Sequence, residues 1–399
     1  ASSMQRRKLV KQYEKSLCLG PEEDSRISVF VKREPGEVVG FWADYTPKIP
    51  RAICDRNAGF KLRMQGPSKA LCNMLCSTVC GWSTHSSPSN VEERLEAFIN
   101  ARPEGVTDLH FLTMDYSKFD SRATVATKKA AGKFHMEALR VVREGLGVDE
   151  PARWETHFES ELLRRVSALE VRSERFWPFE RKDKIYIRGT VGSGDQDTTL
   201  GNTTTSAGVV YNAAAKCGVK IARVPNFRKG FVPAPFEVGE REVLVFFTGD
   251  DIFAAGREAE LTRLREEICG VASAIGHSIT GHMTNSGEPC GPDNPPGEFC
   301  SRVFLMLHGI EKVKVVSVRK PGRVLVRASM MVSGNRVQDH LGILRGRLTC
   351  ELRGAAGIPI VGTYCSSVLE HSKVQEVRLL IDKEVLRRKR AELGGEVGN

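Results

Sequence analysis

Long apolar runs are missing from this 399-residue sequence. No stretch approaches the roughly 20 consecutive apolar residues that cross a bilayer, and residues 1–10 lack the apolar centre of a secretory signal. The eleven cysteines are an odd number and lack the close pairs of a zinc ribbon, which argues against a complete disulfide framework. We therefore expect a soluble chain with no transmembrane segment, in a reducing, intracellular setting.

Internal repeats and low-complexity linkers are also missing, so composition does not divide the chain. What the sequence has is an excess of positive charge, with 59 Lys and Arg against 49 Asp and Glu, a net charge of +10 and a pI near 9.1. This charge is typical of a protein that handles a polyanion, so nucleic acid is the leading candidate partner.

Short β-rich runs alternate with longer amphipathic stretches, which predicts an α+β fold. The predicted strands are Ile27 to Lys32, Leu109 to Met114, Lys184 to Ile187, Val243 to Phe247 and Val324 to Val326. The predicted helices are Val91 to Ala101, Thr124 to Arg143, Pro151 to Arg172 and Arg257 to Ile275.

Aspartates occur where predicted strands end. Asp115 follows an apolar strand, Asp120 lies five positions later, and Gly249-Asp250-Asp251 is the tip of a predicted hairpin. Carboxylates on neighbouring strand ends are what two Mg²⁺ ions about 3.5 to 4 Å apart require to clamp an in-line phosphoryl transfer. We predict Asp115 and Asp250 as metal ligands, with Asp251 in support. For either motif alone, the alternative of an ordinary turn or strand cap is favoured.

The segment from Gly189 to Asn202 is a Gly-, Ser- and Thr-rich loop that leads into a helix. Its glycine spacing resembles a P-loop, but Asp195 replaces the required lysine and would repel phosphates. A dinucleotide fingerprint also fails, because Asp197 replaces the third glycine. A plain surface loop is the alternative.

Taken in order, three segments resemble motifs A, B and C of the RNA-dependent RNA polymerases of positive-strand RNA viruses. They are Asp115-x4-Asp120, then Ser193-Gly194 with Thr198 and Asn202, then Gly249-Asp250-Asp251. The string from Ser193 to Asn202 is most similar to the tombusvirus and nodavirus-like polymerases. The resemblance runs from about Phe30 to Arg302, and the order of the motifs carries it, because each is weak alone.

The resemblance implies template-directed RNA synthesis. The growing 3′-hydroxyl would attack the α-phosphate of a ribonucleoside triphosphate, with two Mg²⁺ ions, or Mn²⁺ in their place, held by Asp115, Asp250 and Asp251. It also implies selection of the ribose 2′-hydroxyl by Asp120, Ser193, Gly194, Thr198 and Asn202. The rivals are a reverse transcriptase, which the polar Asp120 segment disfavours, and an inactive RNA-binding relative, which the intact aspartates disfavour.

Flanking segments also fit the family. Phe30 to Glu34 and Lys48 to Ile53 resemble motif F, which implies that the triphosphate is bound by Lys32, Lys48, Arg51 and Arg56. Glu298 to Arg302 resembles motif E, which implies that Arg302 contacts a phosphate of the product strand. An ordinary solvated basic stretch is the alternative for motif F.

Motif D departs from the family, because no lysine occurs between Leu261 and Ile310. His277 or His282 is therefore a candidate general acid for the pyrophosphate leaving group, since imidazole is a competent acid near neutral pH. The alternative is that both are surface histidines and that water, Arg263 or Arg265 supplies the proton.

The resemblance also predicts a right-handed polymerase with fingers at 1–107, palm at 108–120, a fingers insert at 121–188, palm at 189–302 and a largely helical thumb at 303–399. The implied partners are template and nascent RNA, ribonucleoside triphosphates and, through segments outside this chain, other replicase components and host membranes in the cytoplasm. Because few residues precede Lys32, we expect a piece of a longer replicase.

Overall fold

The structure is a computed structural model, and it describes residues 10–11, 14, 27–31, 52–56, 58–103, 105–147, 169–173, 184–187, 191, 198–224, 236–291, 293–308, 312–324, 340–355 and 360–372. Its strands are β1 (Ile27–Val31), β2 (Ala52–Arg56), β3 (His110–Tyr116), β4 (Leu169–Ser173), β5 (Lys184–Ile187), β6 (Lys220–Ile221), β7 (Glu242–Thr248), β8 (Asp251–Gly256), β9 (Ile279–Asn285), β10 (Glu298–Phe299), β11 (Arg302–His308) and β12 (Val313–Arg319). Its helices are α1 (Ala58–Thr78), α2 (Pro88–Ala101), α3 (Phe119–Arg122), α4 (Val125–Gly145), α5 (Thr198–Cys217), α6 (Glu258–Ala274), α7 (His340–Ala355) and α8 (Val361–His371).

A five-stranded sheet with the order β6-β7-β8-β3-β9 lies at the centre of the described chain. Strand β3 pairs antiparallel with β8 on one side and with β9 on the other, and β7 and β8 form a hairpin. The short β6 extends the sheet in parallel with β7. Further sheets are formed by β10-β11-β12 and by β2-β1-β4-β5.

Side-chain alternation divides the residues of the central sheet between two hydrophobic cores. One face packs against α5 and α6, and this core includes Leu112, Met114, Val245, Ile252, Val210, Leu261 and Leu264. The other face packs against α2 and the β10-β11-β12 sheet, and this core includes Phe111, Phe246, Phe253, Phe299, Phe304 and Leu95. Because both faces are covered, the ends of these strands are held rigidly.

Helix α2 protects β12, which lies at an edge of its sheet. Asn100 exchanges two hydrogen bonds with the backbone of Val313, and the carboxylates of Glu96 and Glu92 accept from the backbone N–H groups of Val315 and Ser317 at 3.1 and 2.9 Å. The three side chains are spaced four residues apart, so they share one face of the helix. They occupy the backbone groups through which an exposed edge strand would recruit another strand.

The α+β class predicted from the sequence is confirmed. The predicted strands that begin at Ile27, Leu109, Lys184 and Val243 and the predicted helices that begin at Val91, Thr124 and Arg257 are present, with ends that differ by up to three residues. The helix predicted for Pro151 to Arg172 is wrong at its end, because Leu169 to Ser173 forms β4 between β1 and β5, and the rest of it, residues 151–168, lies outside the described residues. Pairing with two neighbouring strands there prevails over the local pattern.

Two further predictions need correction after Arg302. Residues 302–308 and 313–319 are strands, so the largely helical character predicted from 303 onward is wrong for this first part of the predicted thumb. Val324 ends a short helical turn instead of opening a strand, and residues 325–326 lie outside the described residues. Among the helices that the structure describes, none is long and apolar enough to cross a membrane.

Candidate active site

Asp115, Asp250 and Asp251 meet at one end of the central sheet. Asp115 is the sixth residue of β3, and the pairing of Met114 with Ile252 brings Asp115 next to Asp251 at the start of β8. The β7–β8 hairpin pairs Thr248 with Asp251, so Gly249 and Asp250 form a two-residue turn. Gly249 has a φ of +60°, which tight hairpin turns require at this position and glycine adopts without strain.

The three carboxylates interact electrostatically. Burial, followed by the charges of Asp250 and Asp115, raises the pKa of Asp251 to about 6. A bound divalent cation would relieve this repulsion. The donors are carboxylate oxygens on rigid strand ends, which is the donor type that Mg²⁺ prefers, so the residues present fit the predicted ion.

Asp120 and Asn202 are in direct contact although 82 positions separate them. Asn202 Nδ2 donates a hydrogen bond of 2.9 Å to Asp120 Oδ1. Lys118, in the left-handed conformation with a φ of 55°, turns the chain after β3 into the short helix α3, which carries Asp120. The backbone N–H of Val191 donates to the Asp120 carbonyl at 2.9 Å, so the chain that leads toward the predicted motif B loop is also joined to this point.

Other predicted site residues have varied positions. Thr198 is the first residue of α5, and Arg302 donates hydrogen bonds to Ser317 Oγ and Ser317 O at 2.7 and 2.6 Å. Arg56 ends β2, but its side chain is not described. The predictions for Lys32, Lys48, Arg51, Ser193 and Gly194 lie outside the described residues.

The two candidate general acids differ in their surroundings. His277 is 3% exposed, and its ring packs against the rings of Phe119 and Tyr116 at centroid distances of 4.5 and 5.5 Å. Burial, and then the charge of Arg122, lowers its pKa. His282 pairs with Thr113 in the sheet, two residues beyond the pairing of Asp115 with Thr280. It therefore lies on the same face of the sheet as Asp115, where its Nε2 is 3.4 Å from Pro296 O.

A separate group of residues whose side chains can bind metal ions lies at the other end of β3. It includes none of the predicted metal ligands. Asp108 Oδ1 is 3.4 Å from His110 Nδ1, and Glu258 Oε2 is 4.0 Å from His110 Nε2. The carboxylates flank opposite nitrogens of one ring, so they suit that ring better than a shared ion. Asp115 is five positions along the strand from His110, a distance of about 17 Å.

The structure adds residues that the sequence analysis missed. Thr203 and Ser206 on α5 are fully buried and hydrogen-bonded to the backbone of Gly249. Cys300 donates a hydrogen bond to Asp251 from a tight turn in which Cys300 and Ser301 have φ values of 52° and 62°. The available signal was the run Thr203-Thr-Thr-Ser206, because hydroxyls buried along a helix require partners.

His135 joins α4 to α5 behind this site. Its Nε2 is 2.7 Å from Thr204 Oγ1, and the residue is 1% exposed. Burial lowers the pKa of His135 to about 4. The folded chain therefore holds this imidazole neutral where an unfolded chain would protonate it.

We expect His135 to make the chain less stable in mild acid. Between pH 6.5 and pH 4 the unfolded state binds a proton that the folded state does not. The contribution of the neutral His135 to the free energy of unfolding is therefore complete above pH 6.5 and is lost as the pH falls to 4. The loss is about 3 kcal/mol of unfolding free energy. Denaturant unfolding at several pH values measures how the free energy of unfolding changes with pH. We expect this change to be smaller in His135→Gln, whose side chain can still bond to Thr204. Identical pH profiles for both proteins would contradict it.

The fold has known counterparts. No protein-family model and no curated protein matches the sequence. The structure is similar to the crystal structure of the RNA-dependent RNA polymerase of a human picobirnavirus, with a TM-score of 0.62 and 13% identity over 93% of this chain and 61% of that one. It is equally similar to an insertion-loop deletion mutant of that polymerase, with a TM-score of 0.61 and 13% identity over 92% and 62%.

These similarities establish the fold. The chain has the α+β architecture of a right-handed polymerase, and the central sheet that carries Asp115, Asp250 and Asp251 corresponds to the palm. The chain spans about three fifths of the length of the structures it matches.

Proposed function

We propose that this chain is the catalytic core of a viral RNA-dependent RNA polymerase. One observation carries the proposal: the Asp120–Asn202 hydrogen bond is present in the same structure that brings Asp115 beside Asp251. The first pair suits recognition of a ribose, and the aspartate group suits a phosphoryl-transfer centre. These residues, and not the fold alone, support the proposal, because one fold can carry unrelated functions.

The reaction would be nucleotidyl transfer to an RNA 3′-hydroxyl with release of pyrophosphate. Two Mg²⁺ ions, replaceable by Mn²⁺, would activate the hydroxyl and stabilise the leaving phosphates when bound. Asp115 and Asp250 would hold them, with Asp251 in support. The rigid strand ends contribute a fixed spacing between these carboxylates, so little reorganisation is needed when substrate arrives.

Ribose selection would be the task of Asp120 and Asn202. A carboxylate accepts hydrogen bonds and an amide both donates and accepts, so together they match a 2′-hydroxyl, which does both. Ser193, Gly194 and Thr198 would complete this network. Lys32, Lys48, Arg51 and Arg56 would bind the triphosphate, and Arg302 would approach the product strand from the β10–β11 turn.

The finer assignments are also proposals. The string from Ser193 to Asn202 favours a tombusvirus or nodavirus-like polymerase of a positive-strand RNA virus. Replication and transcription of a viral genome in the host cytoplasm, with other replicase components and membranes as partners, would follow from that assignment. The net charge of +10 supports RNA as the principal partner.

We propose His282 rather than His277 as the proton donor to pyrophosphate, because His282 shares a face of the sheet with Asp115 whereas His277 is enclosed by aromatic rings. We expect His282→Gln to lower kcat about tenfold, below the roughly 100-fold typical of general acids because water can substitute, and to remove one limb of the pH–rate profile. An unchanged profile would eliminate His282 from this role.

The function is tested by single-nucleotide extension of an RNA primer on an RNA template. We expect incorporation that depends on Mg²⁺ or Mn²⁺ and prefers ribonucleotides to deoxynucleotides. A preference for deoxynucleotides would indicate a reverse transcriptase instead. A purified, folded chain that binds RNA without incorporation would favour the inactive RNA-binding alternative.

A further inference from the structure

The turn that carries Asp250 is attached to helix α5 by both backbone groups of Gly249. A two-residue hairpin leaves the N–H and the C=O of its first turn residue without partners in the strand ladder. The Gly249 N–H donates to Thr203 Oγ1 at 2.8 Å, and Ser206 Oγ donates to Gly249 O at 2.7 Å. Both backbone groups are therefore satisfied by side chains three residues apart on one face of α5.

The Thr203 hydroxyl uses its proton and both of its lone pairs in hydrogen bonds. It donates its single proton to Thr199 O at 2.6 Å, so both of its lone pairs are free to accept. One accepts from Gly249 N, and the other accepts from Thr84 Oγ1 at 2.9 Å. Thr203 and Ser206 are both 0% exposed, so water does not compete for these bonds.

The strand before the turn is fixed from a second direction. The segment after α1 exchanges backbone hydrogen bonds with Phe247, from Phe247 N to Gly81 O at 2.9 Å and from Ser83 N to Phe247 O at 3.1 Å. Thr84, which donates to Thr203, belongs to the same segment. The Asp250 turn, α5 and residues 81–84 thus form one continuous hydrogen-bonded unit.

Asn202, which contacts Asp120, immediately precedes Thr203 on α5. The helix therefore holds the two halves of the site with adjacent residues, since Asn202 bonds to the ribose-selecting Asp120 and Thr203 bonds to the metal-binding turn. A displacement of α5 that moves one contact would move the other.

We propose that Thr203 and Ser206 are positioning residues that hold Asp250 and Asp251 in the geometry that binds the divalent cation. The proposal rests on the proposed function, in that it takes these aspartates as metal ligands. Residues that orient metal ligands through hydrogen bonds typically contribute 10- to 100-fold in metal affinity or activity. Thr203 and Ser206 act through the backbone of the turn and do not contact the ion.

The test measures Mn²⁺ binding by electron paramagnetic resonance, without nucleotide or RNA. Thr203→Val keeps the side-chain shape but removes the hydroxyl, and we expect it to weaken Mn²⁺ binding about tenfold or more. Thr203→Ser restores the hydroxyl and should restore binding. Thr204→Val is the matched control, because Thr204 is the next residue of α5, is also buried, and bonds to His135 instead of the turn. It should lose similar stability but keep its affinity for Mn²⁺.

Ser206→Ala provides a second, smaller variant, which should also weaken Mn²⁺ binding. Wild-type affinity in folded Thr203→Val and Ser206→Ala proteins, or an equal loss in Thr204→Val, would overturn the proposal. So would a wild-type Mn²⁺ signal that Asp250→Asn leaves intact. Failure of the proposed function would give a different result. A chain in which Thr203→Val weakens Mn²⁺ binding but which incorporates no nucleotide would have the positioning residues without the polymerase activity.

Discussion

Replacement of Asp250 by asparagine should abolish nucleotide incorporation while leaving the fold intact. Asparagine has nearly the same shape, but it removes the negative charge from the tip of the β7–β8 hairpin. Metal stabilisation of the transferring phosphoryl group contributes several kcal/mol, so we expect the rate to fall about 1,000-fold. Single-turnover extension of an RNA primer with saturating ribonucleotide measures this loss directly.

The thermal stability of Asp250→Asn should be equal to or above that of the wild type. The charge of Asp250 raises the pKa of Asp251, so the two carboxylates repel each other in the folded chain. Removal of one charge relieves that repulsion. Loss of activity with an unchanged or raised melting temperature would therefore separate a chemical role from a structural one.

Asp108→Asn is the matched control for this prediction. Asp108 lies just before β3, at the opposite end of the strand from Asp115, and its φ of 50° is one that asparagine also adopts. The same chemical change there should leave incorporation within about twofold of the wild type, as surface substitutions away from special features usually have small effects. An Asp250→Asn protein as active as this control would refute the catalytic assignment.

Local signals in the sequence were sufficient for the aspartate-bearing elements. The apolar run before Asp115 and the glycine between two β-rich runs predict a strand end and a hairpin tip. The pairing of β3 with β8, which brings Asp115 beside Asp251, joins segments about 140 residues apart. No periodicity encodes such a pairing. The expectation that the two motifs meet came from the position of the carboxylates at predicted strand ends, and the resemblance to the family supported it.

The strands after residue 300 show the opposite case. Val303-Phe-Leu-Met-Leu307 is a continuous apolar run, and periodicity does not distinguish a buried strand from a buried helix in such a run. Its strand character follows from pairing with β12, whose outer edge is in turn satisfied by Glu92, Glu96 and Asn100. The sequence alone suggests that these three side chains of α2 face solvent, because only the tertiary structure brings them to their backbone partners on β12.

The positioning role of the Thr203 and Ser206 hydroxyls was not predicted from the sequence for a related reason. Threonine and serine are indifferent helix formers, so a Thr-Thr-Thr-Ser run within a helix indicates only that its hydroxyls need partners wherever they are buried; it does not identify the buried ones or their partners. Their neighbour Thr205 bonds to the backbone of its own helix. Thr203 and Ser206 differ from it because they bond to the backbone of Gly249 in the β7–β8 turn. That turn lies more than 40 residues farther along the chain.

Replacement of Asn202 by alanine should remove most of the preference for ribonucleotides. Asn202 is 5% exposed, and its amide nitrogen holds Asp120 Oδ1 at 2.9 Å. Without the amide, Asp120 loses its orientation and the 2′-hydroxyl loses a partner. A site built to bond a hydroxyl discriminates by a factor of 10⁴ or more, so we expect kcat/KM for ribonucleotides to fall about 100-fold.

The loss should be specific to substrates that carry the hydroxyl. A deoxynucleotide makes no bond to this pair, so its kcat/KM should change less than about threefold, because an interaction that is never formed contributes nothing to its transition state. Competition between the ribo- and deoxy-forms of one nucleotide in a single extension reaction gives the ratio directly.

Asn212→Ala is the control on the same helix. Asn212 is exposed, and its amide bonds to Gly208 O within α5, away from Asp120. It should retain the wild-type ratio. Equal losses for both nucleotide types in Asn202→Ala would instead mean that Asn202 supports the helix and the metal-binding turn through Thr203, and not the recognition of ribose. The two outcomes divide the α5 contacts into those that select the sugar and those that hold the carboxylates.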